Sequence, residues 1–63
     1  MKVQHYKGGI YTILAEARHT EEDYMLVVYQ DAAGTVWARP ANMFWEKVEV
    51  DGELKDRFSK IEE

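Results

Sequence analysis

The sequence predicts a small, mostly-β antiparallel fold, and three observations carry that expectation. Short apolar runs rich in β-branched and aromatic residues recur at 10–19, 25–30, 35–39 and 46–50. Turn-forming residues separate them: Gly8-Gly9, TEEDY at 20–24, Asp31-Ala32-Ala33-Gly34 and Asp51-Gly52. The lone proline, Pro40, interrupts the pattern once and leaves room for a single helical turn before the next strand.

Gly8-Gly9 permits a tight bend before the first run. In IYTILAEARH, Tyr11, Ile13, Ala15 and Ala17 alternate with Thr12, Leu14, Glu16 and Arg18, as the two faces of a strand do. The ALAEA centre also suits a helix, but Tyr11-Thr12-Ile13 after two glycines favours a strand. MLVVYQ, residues 25–30, is a dense valine-rich strand. In the turn that follows, Asp31 is placed to accept a backbone hydrogen bond and Gly34 to take positive φ. TVWAR, residues 35–39, returns as the partner strand. Val36 and Ala38 suit the interior, which puts Trp37 and Arg39 on the outer or rim side.

Residue 39 is held extended by the ring that follows it. Pro40 then suits the first turn of a helix, so PANMF reads as one 3₁₀ turn near 40–44. EKVEV, residues 46–50, alternates again, with Val48 and Val50 inward and Lys47 and Glu49 outward. Asp51-Gly52 signals a hairpin. The tail from Glu53 admits two readings. Leu54, Phe58 and Ile61 have the spacing of a short helix, and an extended final strand through Leu54 fits as well. Several strands, a 3₁₀ turn and a closing strand make the order of an SH3-like barrel of about five short strands.

The chain has 63 residues, so 1–63 is read as a single domain with a limited core. Hydrophobic residues make up 46 %, enough to expect a folded core rather than disorder. A domain this small gains from oligomerisation, which makes a second copy of the chain one candidate partner. There is no cysteine, which removes disulfides and thiolate metal sites and suits a reducing compartment. MKVQHYKGG has no long apolar run, so neither a signal peptide nor a membrane span is expected, and a cytoplasmic location is the default. Eight Lys and Arg against twelve Asp and Glu leave a formal charge of −4, which weighs against nucleic acid as partner.

An ordered set of segments resembles a known family. HYKGGIY at 5–11, ARHTE at 17–21, VVYQ at 27–30, WARPANMF at 37–44 and VEVDG at 48–52 together span nearly the whole chain. In them the chain resembles the small bacterial and phage proteins grouped as domain of unknown function 1653. The resemblance implies a compact, mostly-β, SH3-like domain and implies no activity. Members often carry a proline before the Arg-Phe pair near the end, where this chain has Asp56 before Arg57-Phe58. The DAAG turn is also plainer than the family's aromatic or glycine-rich versions.

No residue set points to catalysis. Ser59, the only serine, lies in a charged tail without a histidine nearby in sequence. His5, His19 and the acids at 21–23 have ligand types but no ligand spacing, so no metal and no cofactor are expected. Gly8-Gly9 lacks the longer loop and following lysine of a phosphate site. The candidate binding set is His19, Tyr29, Trp37, Arg39, Met43 and Phe44, because an arginine among aromatics suits an anion, a base or a carboxylate. Met43-Phe44-Trp45 cannot all face one core from a single turn, so at least one is expected at a surface.

These residues support a non-catalytic binding module for a peptide, protein or small anionic ligand. The alternative is a nucleic-acid-binding barrel using Arg39, Arg18, Lys7 and His19. An enzyme accessory or small enzyme built on His5 or His19 stands third. The deciding feature is whether Arg39 has a carboxylate partner of its own, such as Glu46; without one, its surroundings are the best site in the chain.

Overall fold

The structure, a computed structural model, describes residues 1–61. In chain order the elements are β1 (Lys2–His5), β2 (Ile10–Arg18), β3 (Met25–Gln30), β4 (Val36–Pro40), α1 (Ala41–Phe44), β5 (Lys47–Val50), β6 (Glu53–Asp56) and β7 (Phe58–Ile61). Five strands form one antiparallel sheet in the order β4-β3-β2-β1-β7, and β5 and β6 form a separate two-stranded hairpin. The mostly-β antiparallel architecture is therefore as expected, while closure into a barrel is not. The sheet is open, with β4 and β7 as its edges. After Pro40 the chain turns through α1 onto the inner face, against β3 and β4, instead of continuing the ladder. The strands also outnumber the expected five, because Lys2–His5 and both halves of the tail are extended.

Turn chemistry explains the hairpins. His5 donates to Gly9 O at 2.7 Å and Gly8 takes φ 109° between β1 and β2. Asp31 accepts from the Ala33 and Thr35 amides through Oδ1, at 3.0 Å each, and Gly34 takes φ 90°. Asp51 and Gly52 both have positive φ, the two-residue turn that matches strand twist. Through Ile61 the tail is thus strand on both sides of Arg57 and not helix, and its last two residues, Glu62 and Glu63, lie outside the described residues.

The core lies between the inner face of the sheet and α1. It consists of Val3, Val27, Tyr29, Phe44 and Phe58, with Tyr11, Ile13, Ala41 and Trp45 packed around it. Phe44 is fully buried and stacks on Phe58, ring centroids 4.1 Å apart. Of the Met43-Phe44-Trp45 run, Phe44 enters the core, Trp45 packs beside it and Met43 remains half exposed. The turn that carries them is α rather than 3₁₀, because the Trp45 amide donates to Ala41 O at 3.1 Å, four residues back.

Two face assignments differ from expectation. In the β3–β4 register, Trp37 lies opposite Tyr29 and Arg39 opposite Val27, both buried inner residues. Trp37 and Arg39 therefore project from the core-side face, and exposed Val36 and Ala38 from the outer one. The local pattern misleads here because an edge strand covers little on either face, and its partner strand decides the orientation. In β2 a bulge between Ile13 and Ala15 inserts Leu14, so Ala15 pairs with Val28 and leaves the face of Tyr11 and Ile13.

Candidate functional site

An aromatic band crosses the inner face of the sheet. Phe58 on β7 meets His5 on β1, ring centroids 5.0 Å apart; Tyr11 on β2 meets Tyr29 on β3 at 5.6 Å; Trp37 follows on β4. At the β4 end the band opens into a depression of about 240 Å³ lined by Tyr11, Tyr29, Asp31, Trp37 and Arg39. Each residue is placed by a different local rule. Tyr11 belongs to the inner set of β2 before its bulge, and Tyr29 is anchored by edge contacts to Phe44 and Phe58. Asp31 starts the hairpin turn, and its Oδ2 accepts the Trp37 indole Nε1–H at 2.9 Å. One carboxylate thus shapes the turn and orients the indole.

The Trp37 hydrogen bond is the main reason the Asp31 carboxyl lies below its ordinary range. The backbone amides of Thr35, Ala33 and Gly34 act in the same direction, and partial burial opposes them. Asp31 is accordingly charged and occupied at neutral pH. Arg39 is partly buried in the pocket wall and makes no hydrogen bond or ion pair with any described residue. The expected partner, Glu46, is taken: its Oε1 accepts from Arg57 at 2.6 Å. Arg18 pairs with Asp23 at 2.9 Å and Lys47 with Asp56 at 3.6 Å. Arg39 is thus a cation in a pocket lined by aromatic residues, with its N–H donors unclaimed by any described residue.

The remaining sequence candidates separate. Tyr29 both lines the pocket and belongs to the core. Phe44 is wholly core. Met43 lies in a different apolar depression of about 400 Å³, with Tyr24, Met25, Pro40 and Asn42. His19 closes the 19–24 turn, where its Nδ1 accepts the amides of Glu21 and Glu22 at 3.1 and 3.0 Å. Sequence reasoning missed Tyr11 and Asp31. The alternation of β2 marked Tyr11 as a candidate inner residue, and counting outward from the hairpin turn pairs Tyr29 with Trp37 beside Asp31.

Another depression, about 440 Å³, collects His5, Asp56 and Ser59 with Gln4, Tyr6, Gly8 and Lys55. These types suggest a hydrolytic triad, but the orientations do not. His5 Nδ1 accepts the Lys7 amide at 3.1 Å, and Ser59 pairs with Gln4, on the face opposite His5 and Phe58. Burial, then the nearby charges of Arg57, Lys7 and Arg39, keep His5 below the ordinary imidazole value. Among the described residues no three His, Asp or Glu side chains gather as metal ligands. Among the described residues no helix is long and apolar enough to cross a membrane.

Searches of curated proteins and of solved structures return no match. The family described as Protein of unknown function (DUF1653) matches residues 1–60, a span that takes in the whole five-stranded sheet except Ile61 and every residue of the Arg39 pocket, and the chain belongs to that family.

Proposed function

We propose that this chain is a non-catalytic binding module that takes an anionic group, on a small molecule or a peptide, in the pocket of Tyr11, Tyr29, Trp37 and Arg39. One observation carries the reading: Arg39 sits partly buried in a pocket lined by three aromatic residues and makes no ion pair with any described residue. A guanidinium in that setting binds a carboxylate or phosphate more strongly than an exposed one, because surrounding protein lowers the screening of its charge. The aromatic rings add an apolar wall for a planar or aliphatic body next to the anion. Asp31, which also lines the pocket, repels a second negative charge and favours ligands with a single anionic end.

The module is read as cytoplasmic on its lack of cysteine, and as an opened SH3-like arrangement on its order of strands, helical turn and strands. Nucleic acid draws less support. Arg18 is engaged with Asp23, and His19 is turned into its own loop. The chain as a whole carries −4.

The test is titration of the protein with benzoate and, as a neutral control, benzamide, followed through the Trp37 indole N–H resonance. Saturable shifts with benzoate alone are expected, with at least a tenfold loss of affinity in Arg39→Ala. Equal response to both compounds, or an unaltered response in Arg39→Ala, removes the reading.

A further inference from the structure

The free edge of β4 is laid out to pair with a second copy of itself. At the hairpin end the Asp31 amide donates to Thr35 O at 3.0 Å, which marks a hydrogen-bonded pair. Antiparallel pairs alternate between bonded and non-bonded. Following the register, Tyr29·Trp37 and Val27·Arg39 are bonded pairs, and Gln30·Val36, Val28·Ala38 and Leu26·Pro40 are not. Pro40, with no N–H, falls at a position where β3 requires none. The N–H and C=O groups of Val36 and Ala38, and the Pro40 carbonyl, therefore point away from β3. No described strand pairs on that side.

The other edge differs. Strand β7 carries Lys60, and just before it the Arg57 amide is tied to Glu46 O at 3.1 Å. Charges and local cover of that kind blunt an edge, whereas Val36 to Ala38 is uncharged and exposed.

We infer that the chain forms a two-fold homodimer in which β4 pairs antiparallel with β4 of a second copy, Ala38 on the axis, joining the two five-stranded sheets into one. In this register Val36 lies opposite the partner's Pro40 and Trp37 opposite the partner's Arg39, each twice. The amide of Ala38 donates to the Ala38 carbonyl of the other chain, and the amide of Val36 shares the Pro40 carbonyl of the other chain with the first turn of α1, whose N-cap is Pro40. Pro40 returns no N–H, so the ladder ends there.

Charge complementarity selects a second copy as the occupant. Arg39 makes no ion pair with any described residue, and Trp37, half exposed, has Asp31 bound to its indole nitrogen at 2.9 Å. Each cation meets an indole that carries a carboxylate at its N–H edge, and no like charges stand directly opposite. The outer face contributes only Val36, Ala38 and Pro40. A chain with a five-residue buried core gains apolar cover from this contact. The inference does not rest on the ligand reading; a guanidinium stacked on an indole keeps its N–H edge for an anion.

An interface of one strand pair falls in the small class, below about 1,200 Å² in total, so a concentration-dependent equilibrium is expected. Sedimentation of the full chain over a concentration series should move from 7.4 kDa toward twice that mass. Ala38→Pro removes an N–H that β3 does not use, and should abolish the shift while the circular dichroism spectrum is kept. Cysteine variants test the register without loss of a backbone donor, and the chain has no other cysteine. Residues opposite each other in a bonded pair have Cα atoms about 5.5 Å apart, within disulfide reach. Ala38→Cys should oxidise to a linked pair at least tenfold faster than Val36→Cys. A wild-type mass of 7.4 kDa at every concentration, equal oxidation of the two variants, or a dimer that survives in folded Ala38→Pro overturns the inference; in the last case the contact lies on the outer face with Leu14 and Val28.

Discussion

Asp31 shows how one side chain serves turn and site together. Its two oxygens accept from Ala33, Thr35 and the Trp37 indole. The folded-state pKa is lowered, so the stability linked to this carboxylate is fully present above the ordinary carboxylate value and disappears as pH falls through the lowered one. Asp31→Asn should release the indole: the Trp37 N–H resonance should move toward its free position, and the midpoint of stability against pH in the acid range should shift upward. An unmoved indole resonance would mean that Asp31 does not orient Trp37. Arg39 is informative for the opposite reason. The residue type announced a site, and only the assignment of Glu46 to Arg57 shows that no acid of the described chain has claimed it.

At the scale of elements, turns were the most legible part of the chain. Asp31 to Gly34 and Asp51-Gly52 behave as their chemistry dictates, because positive φ is a local steric preference that needs no partner strand. Gly52 has φ 80° and open space around the position of a Cβ. Gly52→Ala should therefore cost about 1–2 kcal/mol through backbone conformation alone, with Gly52→Asn recovering part of it. Chemical denaturation of the two variants checks the order. Strand faces were less legible. The bulge at Leu14 reverses the phase of β2, and edge strand β4 takes its orientation from β3. Neither effect leaves a mark in the alternation of the strand concerned.

For the whole molecule, a few rings hold the fold. Phe44 touches Tyr29, Trp45 and Phe58 and joins α1 to the sheet. A domain of this length has roughly 3–9 kcal/mol of stability in total. Phe44→Ala, at about 3–5 kcal/mol, should remove most of it, whereas Phe44→Leu should cost about 1–2 kcal/mol. Urea unfolding followed by circular dichroism reads both. A near-neutral Phe44→Ala would show that the core does not depend on α1.

The sequence by itself determined the strand-rich character, the hairpin turns, the helical turn after Pro40 and the placing of an arginine among aromatics. Those properties follow from backbone sterics and side-chain chemistry within a few residues. Only the tertiary structure decided that the sheet stays open, that Trp37 and Arg39 face inward, and that Tyr11 and Asp31 complete their pocket while Met43 and His19 stand elsewhere. Strand pairing and the competition of Arg57 for Glu46 are long-range, and a local pattern carries no record of which partner a side chain finally meets.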